Sequence, residues 1–231
     1  MALVKKSVFN PFEENCYVVS NRAGECVVID PGCSSEAEEN GLATLIDKLV
    51  PRAVLLTHAH PDHIGGAAGL QRRYGCPVYL NKADIPTLGQ GVSMASAFGF
   101  PAPDTSFTVS DASDGVSVDA AGFRFEAIAT PGHTPGGICW LERSCRMLFS
   151  GDTLFAGTIG RTDLEFGDYD SEIRSIMEKI IVLDPDIEVY PGHGPSTTIG
   201  RERLHNPMLE PFNEPEEEPD ADAEPIFIRN V

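Results

Sequence analysis

Seven residues, Thr57 to His63, read THAHPDH, and they hold three of the six histidines in the 231-residue chain together with an aspartate. Imidazole and carboxylate at this density can furnish a polar loop or hold metal ions, and the spacing points to metal. His58 and His60 are two apart in extended chain, so their rings point to one side and can grip a single ion. Pro61 suits a turn into a helix. Asp62 and His63 then sit at the helix start, aimed differently, within reach of a second ion.

The missing ligands lie far along the chain, each just after an apolar run. AVLLT leads into His58, FRFEAIAT into PGHT with His133, RMLFS into GDT with Asp152, and IEVY into PGHG with His193. Only His205 falls outside this pattern. In sheets covered by helices, sites collect at the C-terminal ends of strands. Four groups within six residues cannot easily serve one ion. The arithmetic suits two, with His58, His60 and His133 on one, Asp62, His63 and His193 on the other, and the two oxygens of Asp152 bridging. Imidazole and carboxylate without thiolate favour zinc, iron or manganese, with zinc expected first. Two divalent ions set against Asp62, Asp152 and a bridging hydroxide leave one net positive charge. Such a centre makes water nucleophilic near neutral pH, so no serine or cysteine nucleophile is required.

Those four strand ends need a scaffold. The N-terminal third reads as short strands at Leu3–Phe9, Cys16–Ser20 and Cys26–Asp30. Helical spacing follows from Glu36 to Val50, ending before Pro51. AVLLT is wholly apolar, as a strand buried on both faces would be. A helix is expected over Ile64–Tyr74, stopped by Gly75, and then a strand at PVYL. Residues 84–112 show little periodicity and read as a long functional connection, with Met94, Phe98 and Phe100 able to touch a substrate. Strands resume at Val116–Val118, Phe123–Ala129, Ile138–Leu141 and Arg146–Phe149. A helix over Ser171–Leu183, the strand IEVY and a helix over Thr198–Leu209 complete the pattern. Two groups of strands, each followed by helices, predict an α/β fold with two mixed sheets and helices outside, a four-layer sandwich.

Composition narrows the function. With 42% hydrophobic residues the chain can bury a sizeable core. The net charge of -18 argues against a nucleic-acid partner. Residues 210–231 carry eight acids and one arginine, net -7, which leaves -11 for the rest. That proline-rich segment is expected to be a disordered acidic tail beyond a catalytic domain of residues 1–209. No apolar run approaches the roughly 20 residues that span a bilayer. The start has no signal-peptide pattern, so a cytoplasmic location is expected. Cysteines 16, 26, 33, 76, 139 and 145 form no C-x-x-C and are expected to be free thiols.

The motifs VVIDPG (27–32), THAHPDH (57–63), TPGHTPGG (130–137), FSGDTLF (149–155) and YPGHG (190–194) resemble the metallo-β-lactamase fold superfamily over about residues 3–208. Within it, GDTLFAGTIGRTDL and GHGPSTTIGRERLHNP are most similar to short glyoxalase II-like, hydroxyacylglutathione hydrolase-like enzymes. The resemblance implies an αββα sandwich and a two-metal thioester hydrolase acting on S-acyl glutathione-like substrates. Its ligand pattern falls on the same seven residues. Asp62 and Asp152 become the catalytic carboxylates, and Asp30 an aspartate that buttresses the site. The chain departs from the family in two ways. It is short after His193, where full-length glyoxalase II has a helical domain that helps bind glutathione. It also reads NPMLE where the family has Phe and then a basic residue. Arg161 and Arg203 are the remaining cationic candidates for a substrate carboxylate.

The same motifs resemble persulfide dioxygenases, which hold one iron with two histidines and an aspartate; His58, His133 and Asp152 would serve. The full second ligand set favours hydrolysis. A β-lactamase is a poorer reading, because its best-known subclass has cysteine where Asp152 stands. Flavodiiron reductases have an acid at the position of His60. A nuclease would need a basic surface. Another ester or lactone hydrolase and a non-catalytic metal-binding module complete the alternatives.

Overall fold

The computed structural model describes residues 2–99 and 101–212. The first half runs β1 (Leu3–Phe9), β2 (Glu14–Ser20), β3 (Glu25–Ile29), α1 (Glu36–Leu45), β4 (Val50–Leu55), α2 (Pro61–Ile64), α3 (Ala67–Tyr74), β5 (Val78–Leu80), α4 (Ile85–Ala97) and β6 (Val109–Asp111). The second runs β7 (Ser117–Ala120), β8 (Phe123–Ala129), β9 (Ile138–Glu142), β10 (Met147–Gly151), β11 (Leu154–Phe155), β12 (Thr158–Ile159), α5 (Tyr169–Ser175), β13 (Glu188–Pro191), β14 (Thr197–Thr198) and α6 (Ile199–His205). Strands β1 to β6 form one sheet in sequence order, the first three antiparallel and the rest parallel. The other sheet has the order β14-β13-β10-β9-β8-β7, with only β10 and β13 parallel.

Side-chain parity explains why these strands stack into layers. Along β2, Cys16 and Val18 pack outward with Leu42 of α1 and Leu70 of α3, while Tyr17 and Val19 pack inward. Along β9, Ile138 and Trp140 face inward, while Cys139 and Leu141 meet Ile173 of α5 and Ile199 of α6. Period-two alternation thus gives each sheet two apolar faces, one for its partner and one for helices. The result is the expected αββα sandwich. Each fully buried Leu, Ile or Phe side chain contributes about 1.5–3 kcal/mol.

Polar bonds stitch the two sheets at the edge that carries the site. Trp140 Nε1 donates to Leu56 O at 3.0 Å, and Ile138 N to Thr57 O at 2.8 Å. Tyr17 Oη donates to Pro191 O at 2.7 Å, and Asn15 N to Gly192 O at 2.7 Å.

Four sequence expectations need correction. Residues 84–112 are not a structureless connection: α4 occupies Ile85–Ala97, with a proline in its first turn. Gly89 and Gly91 thin its apolar stripe, which hides the periodicity. Helix α1 ends at Leu45, because Lys48 takes a left-handed turn and Val50 already pairs with Glu25. The expected Ile64–Tyr74 helix is two pieces; Gly66 N donates to Pro31 O at 2.7 Å and so leaves the helical ladder. The expected Ser171–Leu183 helix is α5 followed by a wider π-type turn over Ile176–Ile180.

Five cysteines are buried, Cys145 is exposed, and all six are free thiols. No helix among the described residues is long and apolar enough to cross a membrane. The described chain ends in a 3₁₀ turn at Glu210–Phe212, and the remainder of the expected tail, 213–231, lies outside the described residues.

Candidate metal centre

Strands β4, β8, β10 and β13 all point their C-terminal ends at one edge of the sandwich. The residues that follow them bring His58, His60, Asp62, His63, His133, Asp152 and His193 together. Ligand atoms of His58, His60 and His133 lie within 4.8 Å of one another, as do those of Asp62, His63 and His193 and those of His58, His63 and Asp152. Asp152 stands between the first two groups. Its Oδ2 is 3.5 Å from both His133 Nε2 and His193 Nε2, and its Oδ1 is 3.4 Å from His63 Nε2. His60 caps α2 in extended conformation and Pro61 opens the helix, so Asp62 and His63 leave the strand end in a new direction.

Hydrogen bonds fix which ring nitrogen faces inward for four of the cluster's five histidines. His133 Nδ1 is 2.7 Å from Arg161 O, and His193 Nδ1 is 2.9 Å from Phe12 O. A carbonyl only accepts, so each Nδ1 carries the hydrogen. His63 Nδ1 is 3.1 Å from Asp30 Oδ2. Thr57 gives its one hydroxyl hydrogen to Asp30 Oδ2 at 2.6 Å, which makes His58 Nδ1, 3.0 Å from Thr57 Oγ1, the donor there. All four rings therefore turn Nε2 into the cluster. There they meet each other, His60 Nδ1 and the carboxylates of Asp62 and Asp152. His60 Nδ1 is 3.1 Å from His58 Nε2 and 2.9 Å from His133 Nε2.

Acceptors crowded against acceptors repel unless a cation lies among them. Protons can serve the carboxylate side. Burial disfavours charge on His63 and His193, yet Asp152 and Asp62 outweigh it and raise both pKa values, with Asp30 adding to the effect at His63. For Asp62 too, burial is outweighed, by His63, His193 and His60, and its pKa falls. The three-histidine side is different. Burial, then neighbouring imidazoles, push His58 well down, and His60 down to about 3. At neutral pH the rings of His58 and His60 stay neutral, and the single N–H of His60 can satisfy only one of the two Nε2 atoms that face it. Two donors held 2.0–2.1 Å from one tetrahedral zinc are roughly 3.3 Å apart, close to the separations seen. Further, His63 Nε2 and Asp152 Oδ1 are buried without a hydrogen-bond partner. The site also leaves room by omission: a Cβ at Gly192 would stand 2.3 Å from Asp152 Oδ1 and 2.7 Å from His63 Cε1. The donor set fits divalent metal ions.

Asp30 lies beneath this cluster. It takes a left-handed backbone (φ 45°) at the end of β3, an uncommon conformation that aspartate tolerates. Its Oδ1 accepts from Thr57 N at 2.8 Å, and its Oδ2 serves Thr57 and His63. Arg161 reaches the site only in part. Its carbonyl holds His133, while its guanidinium pairs with Asp163 through two bonds of 2.7 and 2.8 Å. Arg203 is not brought to the site: it donates to Ile181 O and Leu183 O behind the second sheet.

Several residues that hold the site were not legible in the sequence. Asp84 is fully buried and ties together the loops of His60 and His133. Its Oδ2 accepts from Ala59 N (2.7 Å) and Thr134 Oγ1 (3.0 Å), and its Oδ1 from Gly136 N (2.7 Å). Glu172 of α5 accepts from His133 N at 2.8 Å. A Cβ at Gly132 would fall 2.3 Å from Glu172 Cα, so only glycine lets the His133 loop lie this close to α5. In the turn before β2, Asn10 Nδ2 donates to Asp62 O at 2.9 Å, and at the start of β2 Asn15 Nδ2 donates to Gly194 O at 2.9 Å. Glu14 is buried beside Asp30 and His63, and burial pushes its carboxyl well up. Its backbone bridges that of His193. The one available signal was the pair of asparagines bracketing a short connection between strands.

The sequence profile of the metallo-beta-lactamase superfamily matches residues 9–193. The chain belongs to the metallo-β-lactamase superfamily. The hydroxyacylglutathione hydrolase GloC of Haemophilus influenzae is 37% identical over 204 residues, covering 86% of this chain and 93% of that one. Among solved structures, the BLEG-1 B3 metallo-beta-lactamase superposes with a TM-score of 0.81 at 36% identity, over 90% of this chain and 99% of that one. TTHA1623 in a di-iron-bound form superposes with a TM-score of 0.79, also at 36% identity, over 89% of this chain and all of that one. The metallo-β-lactamase fold thus accounts for both the sandwich and the site at its edge. The chain's relatives also include the probable metallo-hydrolase YqgX of Bacillus subtilis, 34% identical over 88% of this chain and 95% of that one.

Proposed function

We propose that this metallo-hydrolase cleaves thioesters, with S-acyl glutathione conjugates as the reference class. His58, His60 and His133 would hold one divalent ion, Asp62, His63 and His193 a second, with Asp152 shared. The observation that carries this reading is the inward-turned Nε2 of His58, His63, His133 and His193, each fixed by a hydrogen bond on its Nδ1. The GloC likeness supports thioester chemistry. Zinc is the proposed ion, and the di-iron form of TTHA1623 supports iron as a second occupant of such a donor set.

Bound ions would lower the pKa of a water between them and polarise the acyl carbonyl. Asp62 and Asp152 line the cavity over the centre. Asp62 Oδ2 is 3.5 Å from His193 Nε2, where the carboxylate can orient the attacking water. Water oxygen forms the new bond to the acyl carbon, the C–S bond breaks, and the thiolate leaves with the electron pair and later takes a proton. A thiolate leaves readily, so a strong general acid is unnecessary. Asp30 keeps His63 oriented, and Arg161 O does the same for His133. The catalytic unit proposed is residues 1–209, acting on a small molecule, with residues 210–231 outside it.

Protein purified without added metal is to be analysed for metal content, thiol release from thioesters and oxygen uptake. Thiol release with about two ions per chain is expected. One iron per chain with oxygen consumption would instead make this a persulfide dioxygenase.

A further inference from the structure

Above the centre lies a cavity of about 530 Å³. Its floor is His60, Asp62, His133, Asp152 and His193; its walls are largely carbon. Met94 and Ala95 come from α4 and Phe98 from its C-terminal cap, Phe12 from the turn before β2, Phe155 from β11, and Leu164 from the loop after β12. Phe12 and Phe98 meet edge to face, with ring centroids 5.7 Å apart, and close one side. Apart from histidine, Arg161 is the only cationic residue among the described lining. Its guanidinium donates both bonds of a bidentate pair to Asp163. Arg203, on the far side of the second sheet, does not line the cavity.

Such walls gain from burying apolar surface, and they lack the unpaired cations that substrate carboxylates need. We propose that the thioesters cleaved here carry uncharged, apolar acyl groups of medium length, seated along Met94, Ala95 and Phe98. Glutathione's carboxylates then add nothing to recognition. This rests on the thioesterase reading and narrows its substrate class. At about 30 Å³ per small group, the cavity takes roughly 18 non-hydrogen atoms. Octanoyl-N-acetylcysteamine, an uncharged thioester, is about that size. Helix α4 is therefore a specificity element. Gln90 Nε2 on α4 bonds to Glu165 Oε1 at 3.0 Å, which ties it to the opposite wall.

The test uses metal-loaded full-length enzyme with acetyl, butanoyl, hexanoyl and octanoyl esters of N-acetylcysteamine, and with the same acyl groups on glutathione. Each buried methylene is expected to raise kcat/KM about fourfold, the equivalent of about 0.8 kcal/mol. The glutathione ester is expected to be no better than its neutral counterpart. Met94→Trp should lower the octanoyl-to-acetyl ratio at least tenfold, with metal content as the check on folding. The wild-type series decides the matter even where that variant fails to fold. A flat series, or a glutathione ester preferred more than tenfold, would overturn the apolar slot while leaving the thioesterase intact. No thiol release from any ester would overturn the reading beneath it.

Discussion

Replacing Asp84 by alanine removes one carboxylate and strands four buried donors: Ala59 N, Gly136 N, Thr134 Oγ1 and Thr87 Oγ1, now 2.7, 2.7, 3.0 and 3.4 Å from its oxygens. Burial alone raises the Asp84 pKa, and hydrogen bonds from Gly136, Ala59 and Thr134 work against that rise. Each buried donor left without an acceptor costs about 1–3 kcal/mol. The hydroxyls of Thr134 and Thr87 can rotate, which leaves two backbone donors and a sum of about 2–6 kcal/mol, a large share of the 5–15 kcal/mol that stabilises a typical domain. Urea unfolding of chelator-treated protein measures this without the contribution of bound metal. Asp84→Asn keeps one accepting oxygen and should lose about half as much. The two loops joined by Asp84 carry His60 and His133, so the alanine variant should also bind its first ion more weakly. A loss below about 1 kcal/mol, with ion content intact, would refute the claim that this carboxylate aligns the three-histidine group.

Other outcomes follow from the same geometry. Asp152→Ala should lose both ions and all turnover, whereas His193→Ala should retain about one ion per chain; full thioesterase activity in the latter would refute two-ion catalysis. Asp30→Asn should weaken the ion held by His63 about 10–100-fold in a chelator competition, as loss of an orienting partner generally does. Gly192→Ala, whose new Cβ would press on Asp152 Oδ1, should sharply reduce metal content without disturbing far-ultraviolet circular dichroism. Burial pushes Glu172 up to about 8 from an ordinary 4.5, so the folded state holds a proton that the unfolded chain releases. Its stabilising contribution is complete below about 4.5 and is lost as pH rises to about 8. Glu172→Gln in metal-free protein should remove that decline between pH 5 and 9; equal slopes would refute it.

The seven-residue cluster was legible because THAHPDH packs four of its members into six residues and the other three each follow a short apolar run. The layers were legible for the same reason: strands such as β2 and β9 alternate between two apolar faces, and the grouping of strands before helices sets the order of layers. Helix α4 was not, because Pro86, Gly89 and Gly91 weaken its local pattern while Met94, Ala95 and Phe98 face a cavity that only the fold creates. Asp84 was hidden differently. Three of its partners lie 25, 50 and 52 residues away, and in NKADIP it reads as an ordinary helix start. Glu172 likewise reads as one more acid on a helix. Arg203 sits in a segment that resembles the family, yet the rotation of α6 turns it to the carbonyls of Ile181 and Leu183 rather than to the cavity.

The reacting centre is divided between the two halves of the sandwich. His58, His60, Asp62 and His63 follow β4 in one sheet; His133, Asp152 and His193 follow β8, β10 and β13 in the other. Neither half owns a working site, so a chain whose sheets have not closed on one another has no chemistry to misdirect. Ions bound as proposed would bridge the halves and act as a latch, and stripping them would be the natural first step in prising the molecule open.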